Sequence, residues 1–258
     1  MAKRRSVVKA VGTIGTLGTI GIVSANDQDT IPENILSDKE RMMRNKIRTA
    51  FKKNGANEVE QLLEKQGFHY DLATTSDSDD SINIQDRYSE SNSELSVTVW
   101  PLANYDDCVF IQTLVNLDTV RYKDLKTASK ANDVIGIGFD GDHWSVVGEP
   151  QIWATDGHEI SWFSKSLSKG GLAAEIALNS SWALPNQAQI AIESTLKCID
   201  GVPGTLWGYY EHSWASSSKV TIDSIQGGPG PLDVSLNWSF LADSWEKAKP
   251  VDPKYALG

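Results

Sequence analysis

The amino-acid sequence predicts a mainly β protein: an antiparallel β-sandwich or jelly-roll-like domain preceded by an N-terminal helical hairpin. Three observations predict it. From Leu95 onward apolar residues recur with period two, as in half-buried strands. Turn-forming pairs punctuate these runs: Asp140-Gly141, Asp156-Gly157, Gly170-Gly171, Asp200-Gly201 and the GGPGP run at 227–231. Helical periodicity is concentrated in residues 37–67, which segregates helix from sheet rather than alternating them.

Residues 1–25 come first and stand apart. Arg4-Arg5-Ser6-Val7-Val8-Lys9 precedes the mildly apolar run Ala10–Ala25, too short for the about 20 residues that span a bilayer. Val23-Ser24-Ala25 offers a small-x-small cleavage site, so the mature chain is expected to start near Asn26. The paired arginines and the apolar run behind them resemble a twin-arginine export signal. That resemblance implies the twin-arginine export machinery as a partner of the precursor and a secreted, extracellular destination; a retained membrane anchor is the alternative. Removing Lys3, Arg4, Arg5 and Lys9 lowers the formal net charge from −10 to −14. Such a balance disfavours nucleic acid and anionic membranes as general partners. Leader and acidity together resemble exported proteins of haloarchaea.

Residues 26–36 read as a linker and 37–68 as the hairpin. Ser37-Asp38-Lys39-Glu40 fits a capping box, and Met43, Ile47, Ala50 and Phe51 form one apolar stripe. Asn54-Gly55 ends the first helix; Val59, Leu62 and Leu63 mark a short second one that closes at Gly67. The first helix carries Lys39, Arg41, Arg44, Lys46, Arg48, Lys52 and Lys53, a basic face for lipid, an anionic partner or the protein's own acidic body. Residues 69–94, rich in Ser, Asp and Asn, read as a polar linker.

The sandwich is expected over 95–245, with 246–258 as a C-terminal tail. Strands are readable at Leu95–Trp100, Cys108–Asn116, Val134–Phe139, Glu159–Phe163, Leu172–Leu178, Gln189–Ile199, Thr205–Trp214, Val220–Ile225 and in DVSLNWSF at 233–240. Lys123–Lys130 reads as one short helix. Asn179-Ser180-Ser181 and Asn237-Trp238-Ser239 fit the glycosylation acceptor pattern.

Three constellations could carry chemistry. Nine tryptophans are the largest compositional deviation, and TLWGYYEHSW places Tyr210, His212 and Trp214 on one strand face with Trp207, Tyr209 and Glu211 on the other. An exposed ring there could stack on a sugar or enter a lipid interface, so cell-surface carbohydrate or lipid is the expected ligand class. Asp140, Asp142, His143 and His158 sit in acidic turns that could hold a metal, or with Glu211 form a metal-dependent hydrolase, although neither turn matches a complete calcium or zinc motif. Cys108 and Cys198 could pair as a disulfide or remain buried thiols. No Walker, dinucleotide or serine-hydrolase fingerprint occurs, and no cofactor is called for. The sequence therefore favours a non-enzymatic extracellular binding module over a membrane-active protein or a hydrolase.

Overall fold

A computed structural model describes residues 36–75, 93–118, 132–155, 157–178, 187–215, 221–237 and 242–253. The expected export signal, the helix expected at Lys123–Lys130, Trp182, Trp238 and the glycosylation pattern at Asn179 lie outside them. In chain order the elements are α1 (Asp38–Lys65), β1 (Asp71–Thr74), β2 (Glu94–Leu102), β3 (Tyr105–Asp118), β4 (Asn132–Gly138), β5 (Trp144–Ala154) and β6 (Glu159–Ser164). There follow β7 (Leu172–Ala177), β8 (Gln187–Cys198), β9 (Leu206–Ala215), β10 (Thr221–Gln226), β11 (Asp233–Asn237) and β12 (Ala242–Val251).

These strands form two five-stranded antiparallel sheets, ordered β1-β2-β3-β8-β5 and β12-β9-β4-β7-β6. The fold is a β-sandwich. Its winding is jelly-roll-like: β3, β4, β5 and β6 alternate between the sheets, β7 returns between β4 and β6, and β8 returns between β3 and β5. Leu95, Val97 and Val99 of β2 and Ile111 of β3 meet Ile135, Ile137, Leu172 and Ile176 from the opposite sheet in the central core. Each fully enclosed aliphatic side chain contributes about 1.5–3 kcal/mol of transfer free energy.

The outer faces are covered as well. Met43, Ile47, Phe51, Val59 and Leu63 of α1 pack on Trp100, Phe110, Leu114 and Ala191 of the first sheet. The separate β10–β11 hairpin lays Ile225 and neighbouring Leu232 over Val134, Ala173 and Tyr209 of the second. With cover on both sides, strands such as CVFIQTLV in β3 are buried along both faces and lose the alternation of a half-exposed sheet.

The expected capping box is present: the Ser37 hydroxyl accepts from the Glu40 N–H at 3.3 Å, and Glu40 accepts from the Ser37 N–H at 2.7 Å. The other Glu40 oxygen accepts from the Ala103 N–H at 3.0 Å, which fastens the helix start to the β2–β3 turn. The expected hairpin is one helical element broken at Asn54 and Gly55, where Gly55 takes φ 64°. The Glu94 carboxylate accepts from the Ala56 N–H at 3.0 Å and so caps the second segment.

The boundaries drawn from the sequence need three corrections. Strand β1 lies inside the expected 69–94 linker, and β12 extends the second sheet through Val251 into the expected tail. Strand β5 fills the gap between expected strands. All three are edge strands. Edges carry charge, proline and bulges that blunt them against further pairing, and these erase the strand pattern. In β5 the register shifts between Val147 and Gln151, across Gly148-Glu149-Pro150. In β12 the run is ADSWEKAKPV. Of the expected strand at 233–240, the described part, Asp233–Asn237, belongs to the covering hairpin rather than to either main sheet.

Candidate functional site

Turns from three connections meet at one end of the sandwich. Asp140–His143 joins β4 to β5, Lys165–Gly171 joins β6 to β7, and Gly227–Leu232 joins β10 to β11. Between them opens a cleft of about 900 Å³, lined among others by Asp140, Asp142, Trp144, Ser145, Ser166 and Lys169. That volume lies within the about 300–1,000 Å³ usual for small-ligand sites.

The walls are fixed by backbone. The Gly141 N–H donates to the Lys169 carbonyl at 3.0 Å, and Leu167 and Gly171 close their own turn at 2.9 Å. Gly170 takes φ 100°, and a Cβ there would collide with the Phe139 carbonyl, so only glycine lets the two turns come this close. The Asp142 N–H donates to the Asp140 side chain at 3.0 Å, a local turn that the Asp-Gly-Asp sequence favours.

The β8–β9 loop buttresses the same wall from behind. His143 Nδ1 lies 2.6 Å from Asp200 Oδ2, with Asp140 Oδ2 4.0 Å from His143 Nε2. The Ile199 N–H donates to the His143 carbonyl at 2.9 Å, and the Trp144 indole N–H donates to the Gly204 carbonyl at 3.0 Å. The hydrogen bond to Asp200 raises the His143 imidazole above its ordinary value, helped by the charges of Asp200, Asp140 and Asp142. The Asp200 carboxyl is lowered, first by the Val202 N–H and then by His143.

The expected metal set does not assemble. Among the described residues no group of three or more His, Cys, Asp or Glu is arranged to hold a metal ion. Asp140, Asp142 and His143 share one turn, but His158 follows the far end of β5. Over that strand Trp144 pairs with Cys198 and Ala154 with Ile190, a span of about 26 Å at about 3.3 Å per residue of β8. Glu211 is elsewhere again, on β9. It accepts from the Tyr209 hydroxyl at 2.8 Å, and burial raises its carboxyl above the usual range.

The expected aromatic platform on β9 is interior. Tyr209 is enclosed beneath the β10–β11 hairpin, and Tyr210 and His212 face the central core beside Trp245. Trp207 is half-buried, and the Trp214 side chain lies outside the described set. The reason is the covering hairpin, which makes the outer face of β9 a second core. Tyr210 and His212 instead join Asp133: both donate to its carboxylate, His212 Nδ1 at 2.8 Å, and the Ser213 N–H donates at 3.0 Å.

The disulfide reading also falls. Both thiols are free and buried. Cys108 pairs with Lys197 across β3 and β8, so Cys198, one residue on, points to the opposite face of the sheet. Cys108 packs under α1 and Cys198 in the central core. Burial, then the neighbouring Asp107, pushes the Cys108 thiol up to about 12.

The basic face of α1 is divided. Arg48 donates to Glu193 at 2.7 and 2.8 Å, and Arg44 reaches Gln151 at 2.7 Å and lies 3.7 Å from Glu193. Lys46 and Lys52 remain exposed. Sequence pattern does not single out Glu193; its only signal is a lone acid after the apolar Ile190-Ala191-Ile192.

No protein-family model and no curated protein matches this chain. Among the solved structures that match is one described as "pH-induced modulation of Streptococcus parasanguinis adhesion by Fap1 fimbriae", which aligns over 71% of this chain and 94% of its own, at 13% identity and a TM-score of 0.31. So slight a likeness carries no argument about what this chain binds.

Proposed function

We propose that this chain is an exported, non-enzymatic binding module whose ligand, a cell-surface carbohydrate, enters the cleft at the loop end of the sandwich. The observation that supports it is the cleft itself: about 900 Å³ of space on backbone-locked turns. The carboxylates of Asp140 and Asp142 accept hydroxyl hydrogens, Ser145 and Ser166 donate or accept, and Lys169 donates; Val146, Leu167 and Pro229 offer apolar surface to sugar C–H groups. This moves the binding face from β9 to the turns. The membrane-active alternative loses ground, since Arg44 and Arg48 turn inward onto Glu193.

A glycan array probed with the mature protein tests the proposal. Retention on a defined set of glycans is expected, lost in Asp142→Ala and Lys169→Ala and kept in Trp207→Ala. Binding that needs Trp207 but not Asp142 would move the site back to β9, and no retention on any glycan would overturn the carbohydrate reading.

A further inference from the structure

We propose that His143 and Asp200 form a pH-operated clasp that holds the wall of the loop-end cleft, closed while the imidazole is charged and loosened once it is neutral. The cleft wall Asp140–Val146 belongs to the β4–β5 connection and the start of β5, whereas Asp200 belongs to the β8–β9 loop. Two side-chain contacts join the wall to this loop: the 2.6 Å imidazole–carboxylate pair, and the Trp144 indole N–H on the Gly204 carbonyl at 3.0 Å, of which only the first carries charge that changes with pH. Around it the backbone contacts run through the same residues: the Ile199 N–H to the His143 carbonyl, and the Val202 N–H to Asp200 Oδ1 at 2.9 Å. A Cβ added at Gly204 would lie 3.3 Å from His143 Cδ2, so the loop backbone passes close to that edge of the ring.

The groups that face the ring are unbalanced. Asp140 and Asp142 come from its own turn and Asp200 from the facing loop, with the Cys198 thiol behind Asp200 at the end of β8. Lys169, on the β6–β7 turn, is a cation on the other side of the wall. With His143 charged, one cation sits among three carboxylates. With it neutral, the three are left facing one another, and the pair becomes an ordinary hydrogen bond.

The shifts set the direction. His143 is raised in the fold, so its contribution is complete below the ordinary imidazole value and is lost as pH rises through the raised one. Asp200 is lowered, so its contribution is present above the ordinary carboxyl value and fails only as pH falls through the lowered one. The clasp is therefore firmest in mildly acidic solution and loosens on the alkaline side.

The consequence for ligand rests on the loop end being the binding face, but the clasp can be read without any ligand. Hydrogen exchange of the Ile199 and Val202 amides in the mature chain, corrected for intrinsic rates, serves at about pH 5.5 and about pH 8.5. Protection is expected to fall about tenfold or more across that interval in the wild type, and to be low and pH-independent in His143→Gln and Asp200→Asn. Equal protection at both pH values overturns the clasp. So does a wild-type pH response that survives in His143→Gln. Folding of each variant is checked from the amides of Thr113–Leu117 in β3 and Ala188–Ile192 in β8, at the opposite end of those strands from the loop. If exchange behaves as expected but no glycan binds, the clasp stands and the carbohydrate reading fails.

Discussion

Asp133 stands at the start of β4 with its side chain wholly enclosed, and its two oxygens accept from the Tyr210 hydroxyl, His212 Nδ1 and the Ser213 N–H. A buried carboxylate costs several kcal/mol to desolvate, and three donors on one strand offset that cost. Asp133→Ala would leave those donors facing a void. We expect a loss of about 3 kcal/mol or more in urea unfolding, with native stability in an exposed control such as Asp142→Ala. The cysteines give a second residue-scale expectation. A thiol held near 12 has almost no thiolate at neutral pH, so Cys108 should resist alkylation in the native protein and react once it is unfolded. The mass should be that of two free thiols with or without reductant. The sequence placed both cysteines in strands but could not say that they face opposite sides, because that depends on the β3–β8 register.

At the scale of elements, α1 shows how much a pattern can carry. The cap at Ser37, the stripe from Met43 to Phe51 and the break at Asn54-Gly55 were all legible, since each is set by neighbours in sequence. What the stripe packs on was not, because the outer face of the first sheet is assembled from β2, β3 and β8. Glu193 illustrates the gap: its buried carboxylate accepts from Gln112 on the neighbouring strand and from Arg48, with Arg44 close by, and the two arginines lie 145 and 149 positions away in sequence. Glu193→Ala should remove the anchor and strand two guanidinium groups, costing about 3–5 kcal/mol, with the helix exchanging faster than the sheets. Gly55→Ala should cost about 1–3 kcal/mol, because the new Cβ would meet the Glu94 carboxylate in a left-handed backbone region. The three edge strands were missed for the opposite reason. Glycine, proline and a bulge hide the signature in β5, charge and proline hide it in β12, and β1 is only four residues long.

For the molecule as a whole, the layers decide which residues can meet a ligand. A bare sandwich exposes two sheet faces, and an aromatic strand such as β9 would then offer a platform. Here α1 covers one sheet and the β10–β11 hairpin the other, so TLWGYYEHSW is largely core. The turns keep the freedom to bind. The acidic turn Asp140-Gly141-Asp142-His143 was visible as a turn from its residues, but its partners on the β6–β7 and β8–β9 connections lie tens of positions away and converge only through the winding. The twin-arginine leader remains part of the proposal: export of a folded chain suits a domain whose sheets are built from pairings distant in sequence. Binding at the loop end is tested most directly by mapping the footprint of a retained glycan through amide chemical-shift changes in the mature protein. Changes gathered at 139–146 and 165–171 are expected, with Trp207 and the rest of β9 unmoved. Changes centred on β9 or on the outer face of α1 would contradict loop-end binding.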